Sequence, residues 1–279
     1  MSNIKKYCKE EFQWGKIKLE HARPSDFYLS VWQTNRSAAP LLILRSLLFL
    51  TSLAITVYSI VSYSIKGWFG IWWIYLTHWG LTVMTLSTGF ATGVSARCHF
   101  YGPISGEYRL PWYIKTYWVL FNISVPLAFL ITIFYWTVLF EANIEEELDH
   151  GTDIAVHGIN SVLMFLLLIT ASHPCRLLHI YQPLVFAFVF LMFTLFYYLA
   201  GGRNRNGEPY VYPVLNWSKP GVTIGVGAIT GLLLVLLYVL VISITLARDS
   251  ISRACVKPRA EQPAETMPLR QPAAQGTAV

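Results

Sequence analysis

The residues of this chain best suited to chemistry lie between Asp153 and Pro174, DIAVHGINSVLMFLLLITASHP, where a polar head with two ionisable groups leads straight into an apolar stem. At helical spacing His157, Asn160 and Ser161 share one face as i, i+3 and i+4, and Asp153 lies one turn earlier on the same side. The run from Val162 to Ala171 has no charge. With its flanks it reaches the ~20 residues needed to cross a ~30 Å hydrocarbon core. An ionisable side chain inside such a helix is costly and marks a functional site by default, so His157 is the first candidate and its face should look into a helix bundle.

The rest of the chain must supply that bundle. Of its 279 residues 54% are hydrophobic and only 13% charged, which is too apolar for a soluble domain and places the chain in a bilayer. Its formal charge of +6 argues weakly for nucleic acid, because nearly all the basic residues lie outside the apolar runs, where topology signals sit. No nucleic-acid partner is expected. The first apolar run begins only at Leu41, so no cleavable signal peptide is expected and the first span should direct insertion.

Six runs are long enough to span: Leu41 to Tyr63, Ile71 to Gly93, Thr116 to Phe140, Asp153 to Ala171, Ile180 to Gly201 and Pro220 to Ala247. Helices are the economical way to pair every backbone group in lipid. The fold class is therefore all-α, a polytopic membrane protein built as a six-helix transmembrane bundle. Residues 1–40 form an N-terminal arm, 41–247 the membrane domain and 248–279 a Pro-rich tail expected to be disordered.

Sixteen of the 21 Lys and Arg residues fall in the arm, the second and fourth loops and the tail, against four (Lys66, Arg203, Arg205, Lys219) on the other side. The positive-inside rule then puts both termini in the cytosol, of either the plasma membrane or the endoplasmic reticulum. Arg45, one turn inside the first span, is expected to snorkel to the interface. Cys8, Cys98, Cys175 and Cys255 all fall on the cytosolic side as reduced thiols, and acylation of Cys98, Cys175 or Cys255 is expected.

Other features have packing explanations. Gly89/Gly93, Gly221/Gly225 and Gly227/Gly231 are small-xxx-small pairs that let helices approach. Pro126 predicts a kink, with Asn122 and Ser124 re-pairing backbone groups. Trp72, Trp73, Tyr75, Trp79, Trp112 and Trp118 suit interfacial belts. His78, His150, His157 and Asp153 have ligand chemistry, but their spacing matches no metal motif, and no metal or other cofactor is expected. The terminal Thr277-Ala278-Val279 has the form bound by domains that capture a C-terminal carboxylate, which makes Thr277 and Val279 a candidate partner site.

From His157-Gly158-Ile159-Asn160 through Ser172-His173-Pro174 to Tyr212-Pro213-Val214-Leu215 and Pro220-Gly221, the chain resembles the rolling stone proteins, multipass membrane proteins implicated in myoblast fusion. More distantly it resembles the androgen-induced family of six-span hydrolases. That likeness rests on Leu76-Thr77 near the start of the second span and His157-Gly158 in the fourth. It implies that Thr77 is the nucleophile and His157 the catalytic histidine of an enzyme that cleaves fatty acid esters of hydroxy fatty acids. As departures, Val156 replaces an Asn before the His, Asn160 stands where a second His is common, and Asp153 has no counterpart.

Depth supports the pairing. With helices starting at Ile71 and Asp153, Thr77 and His157 lie about 9 and 6 Å below the outer face, in one layer. A threonine hydroxyl needs a base to take its proton, and His157 is the base in that layer. Asp153 could orient the imidazole and Asn160 donate to an oxyanion, with the substrate's chains along the stem of the fourth helix. Two functions therefore compete: a non-enzymatic protein of cell fusion or adhesion, and an intramembrane lipid ester hydrolase.

Overall fold

The structure, a computed structural model, describes residues 9–105, 109–140 and 150–256. Long helices dominate them and no strand is present among them. They are α1 (Ala39–Ile65), α2 (Leu76–Tyr101), α3 (Trp112–Leu139), α4 (Gly151–Thr170), α5 (Tyr181–Leu199) and α6 (Pro220–Cys255). Five helical segments are apolar and long enough to cross a membrane, α5 counted with the short turn Leu177–Ile180 that precedes it. The chain is an all-α polytopic membrane protein.

The second helix is the exception, and its sequence explains why. At 26 residues it reaches about 39 Å, ample for a span, but it carries ten Ser, Thr, His and Arg residues. These polar groups face helix neighbours more than lipid. Ser52 and Thr88 hydroxyls pair at 2.9 Å, Thr56 and Thr85 at 2.8 Å, and Arg45 donates to Ser95, so α1 and α2 are joined by a polar seam. Interhelical hydrogen bonds of this kind supply association where lipid offers no hydrophobic drive.

Glycine contacts differ in part from expectation. A Cβ on Gly89 would meet Phe49 of α1 at 3.1 Å, and one on Gly227 would meet Leu191 of α5 at 3.2 Å, as close packing requires. Gly93, Gly221, Gly225 and Gly231 instead face open space. At Gly80 a Cβ would overlap the Ile131 Cδ1 methyl of α3, so Ile131 would have to shift to admit one. Asn122 does not patch the gap left by Pro126: its amide bridges to Gln182 (2.9 Å) and His179 (3.1 Å) and ties α3 to α5.

The N-terminal arm folds back into one end of the bundle. Phe27, Tyr28 and Leu29 are fully buried, because their apolar side chains fill the space between α2, α3 and the α4–α5 connection. Phe27 stacks on His173 (centroids 5.0 Å apart) and meets Trp118 edge-on at 5.1 Å. Burial, then the charges of Arg248, Arg45 and His21, hold the His173 imidazole well below its usual range, so a neutral ring sits against Phe27. Arg176 donates to the carbonyls of Lys16, Lys18 and Glu20, and the Trp32 indole to that of Ile169.

Arg45 does not snorkel. It is wholly buried and donates to the Phe27 carbonyl (2.7 Å), the Ala91 carbonyl (3.1 Å), Ser95 (2.9 Å) and Tyr117 (3.2 Å). The arm covers the route its side chain would take to water, and in exchange offers a carbonyl. Trp72, Tyr75 and Trp118 are likewise buried rather than interfacial, while Trp73 and Trp112 are exposed as a belt requires. At the far end of the chain α6 continues past Ala247 to Cys255, because Arg248 is held inside by the Leu168 and His173 carbonyls. Thr277 and Val279 lie outside the described residues.

Cys98 and Cys175 are buried and Cys255 is exposed, so acylation of the first two is sterically blocked. This supplies a topology test. In a Cys8→Ser background, a membrane-impermeant maleimide should label the protein only after cells are permeabilised, and Cys255→Ser should remove that label. Labelling on intact cells would place the C-terminus outside.

Candidate functional site

Both α3 and α4 carry a π turn, Tyr135–Leu139 and Ala155–Ile159, and the polar head of α4 meets α3 there. The extra residue of a π turn re-aims side chains, which is why such turns cluster at functional sites. Here it brings Tyr135 and His157 ring to ring, 3.5 Å between centroids and 3° from parallel. The Tyr135 hydroxyl donates to Asp153 Oδ1 at 2.8 Å. His157 Nδ1 faces the same residue, 3.1 Å from its carbonyl and 3.7 Å from Oδ1. All three are buried, and His157 Nε2 has no hydrogen-bond partner among the described residues. A buried, unpaired imidazole nitrogen is expensive and is available to a proton donor.

Asn160 is used locally. Its Nδ2 donates to the Val156 carbonyl at 2.7 Å and its Oδ1 accepts the Ser161 N–H, so the amide pairs backbone groups at the edge of the π turn. Thr132 of α3 locks the same turn by donating to the His157 carbonyl at 2.6 Å, and Ser161 pairs with Thr132 and the Ala128 carbonyl.

Thr77 stands apart from this cluster. The second helix begins at Leu76 rather than Ile71, because Trp72 turns inward to stack on His78 and Tyr75 is extended; Thr77 is thus in the first turn. It is 3% exposed and makes no hydrogen bond among the described residues. In particular it is not bonded to His157, whose Nδ1 is turned to Asp153 and whose Nε2 is unpaired. Yet α2 packs on the π turn that holds His157, and Tyr135 links the two regions: its ring stacks on His157 and it lines a cavity that Thr77 also lines.

That cavity, of about 250 Å3, is walled by α2, α3, α5 and α6 together with Tyr212 and Leu215. No residue of α4 lines it, so a bound chain would lie along α3, α5 and α6 and not along the α4 stem. Among the described residues no three His, Cys, Asp or Glu side chains are placed to hold a metal ion, and the side chain of His150 lies outside them. Sequence reasoning missed Tyr135, Tyr212 and Thr230. Tyrosines in an aromatic-rich helix look like packing, and Thr230 has no polar neighbour in sequence to mark it.

These features define a multi-pass α-helical membrane protein with a buried His-Asp-Tyr cluster beside an apolar cavity. A family model described as protein rolling stone matches residues 1–257, so the chain belongs to the rolling stone family. It is 29% identical over 226 residues to Protein rolling stone of Drosophila melanogaster, covering 77% of this chain and 81% of that one. No solved structure matches. The family match takes in the N-terminal arm as well as the central and C-terminal residues that carry the resemblance.

Proposed function

We propose that the chain acts in cell fusion or adhesion as a multi-pass protein of the plasma membrane, the role that its family resemblance implies. The observation that supports this reading is the family match over residues 1–257, which takes in all six long helices. Removing the protein from differentiating myoblasts should reduce the fraction of nuclei in multinucleate cells several-fold, and re-expression should restore it. Normal fusion in its absence would sink the reading.

A second reading, ester hydrolysis, is supported by one specific observation: the unpaired Thr77 hydroxyl lines a cavity whose wall includes Tyr135, the ring that stacks on His157 with its unpaired Nε2. In this chemistry Thr77 Oγ1 attacks the ester carbonyl, His157 takes its proton and returns it to the departing alcohol, and water then cleaves the acyl-threonine. Catalytic hydrogen bonds are often long without substrate and tighten once it binds. Purified protein in detergent should hydrolyse a long-chain ester, and Thr77→Ala and His157→Ala should each lose roughly 100-fold or more of the rate. Wild-type turnover in either variant would rule this reading out.

A further inference from the structure

The cavity between α2, α3, α5 and α6 combines three properties not explained by packing. First, its walls are apolar and no charged residue lines it. An apolar cavity of about 150 Å3 stays dry and takes up benzene or xenon, and this one, at about 250 Å3, is larger. Second, the space is built in by an omitted side chain. Gly231 lines the cavity and a Cβ there would meet nothing within 4 Å, although the neighbouring Gly227 is packed against Leu191.

Third, two hydroxyls in the lining have no partner. Tyr135 and Tyr212 spend theirs on Asp153 and on the Leu76 N–H. Thr77 on α2 and Thr230 on α6 make no hydrogen bond among the described residues. Threonines within a helix normally return their hydroxyl to a carbonyl one turn back, as Thr82, Thr88 and Thr245 do in this protein. Thr230 forgoes that bond in an apolar surrounding, which costs free energy unless something in the cavity accepts it.

The bilayer supplies the route. Phe188 of α5 lines the cavity while remaining 59% exposed, so the cavity reaches the bundle's outer surface beside α5. A lipid chain can pass from the membrane without crossing water. The absence of any lining cation leaves a carboxylate or phosphate headgroup unpaired at prohibitive cost, so the ligand differs from the carboxylate-bearing fatty acid esters of hydroxy fatty acids that the distant resemblance implies.

We propose that this cavity binds a neutral single-chain acyl ester drawn laterally from the membrane, its carbonyl held by the hydroxyls of Thr230 and Thr77 and its chain lying in the space left by Gly231. The site deepens the ester reading given above and rests on it for the ligand's chemistry, but binding does not require turnover. Thr230 is a binding and positioning residue on this view.

The test uses full-length protein in detergent micelles carrying the His157→Ala change, which stops turnover while leaving both lining hydroxyls in place, and a monoacylglycerol with a photoreactive diazirine in its chain. Illumination should attach the probe to peptides from residues 130–135 and 226–231. Gly231→Phe should cut labelling at least tenfold, and Thr230→Val several-fold. Gly225→Phe, the same bulk on the same helix where its Cβ faces open space, should leave it unchanged and controls for folding. The matching diazirine fatty acid at neutral pH and a lysophospholipid should label these peptides at least tenfold less. Equal labelling in Gly231→Phe, or equal labelling by the anionic probes, would overturn the proposal. Labelling as expected, with no ester turnover by the wild-type protein, would sink hydrolysis alone.

Discussion

Replacing Arg45 with alanine should lower the melting temperature of the purified protein by about 10 °C and expose the N-terminal arm to protease. The guanidinium makes four hydrogen bonds to three separate parts of the fold: the arm at Phe27, α2 at Ala91 and Ser95, and α3 at Tyr117. Alanine leaves a void of nearly the whole side chain together with an unpaired Phe27 carbonyl. Cavity and orphan contributions together cost about 3 to 5 kcal/mol, and a chain of this size loses roughly 2 to 4 °C per kcal/mol. Two further substitutions separate the causes. No carboxylate pairs with Arg45 in any of these bonds, so its charge is itself a burden. Methionine removes that burden and refills the volume, and should recover at least half of the loss. Lysine keeps the charge but lacks the planar fork that reaches three elements at once, and should recover less. A melting temperature within 2 °C of wild type for Arg45→Ala would show that the arm is anchored by something else.

How far this site and fold could be foreseen depends on the range of the interaction concerned. Spans were legible because apolar length is local, and the polar head of α4 was legible because Asp153 and His157 are four residues apart. The partners of that head were not. Tyr135 reaches His157 through a π turn on each helix, and one extra residue per turn is invisible to a pattern of period 3.6. Thr77 lies five residues nearer the start of its helix than hydropathy implies, because the apolar run Ile71 to Tyr75 continues the hydropathy of α2 while its backbone does not continue the helix. Arg45 departs from expectation for a third reason. Snorkelling is the correct default for a cation near a helix end when water lies above it, and only the fold of a segment 18 residues upstream removes the water.

Phe27→Ala should match the alanine change at Arg45 in size, and the two together should cost far less than their sum. The Phe27 ring has no exposure; it stacks on His173 and lies against Trp118 and Tyr117, so its removal opens a void at the closed end of the bundle. Phenylalanine truncations at such sites cost about 3 to 5 kcal/mol. The same residue's carbonyl is the acceptor that Arg45 holds at 2.7 Å, so each change loosens the arm from the other's partner. Once the arm is detached by one substitution, the second has little native contact left to remove, and residues sharing a partner show coupling of about 0.5 to 3 kcal/mol. Melting curves of the wild type, both single variants and the double variant complete the cycle. Arm cleavage by chymotrypsin supplies a second readout, with the 82%-exposed Trp14→Ala as a control expected to melt like wild type. Strict additivity would mean that Phe27 and Arg45 support the bundle independently, and that the arm is not the cooperative plug its contacts describe.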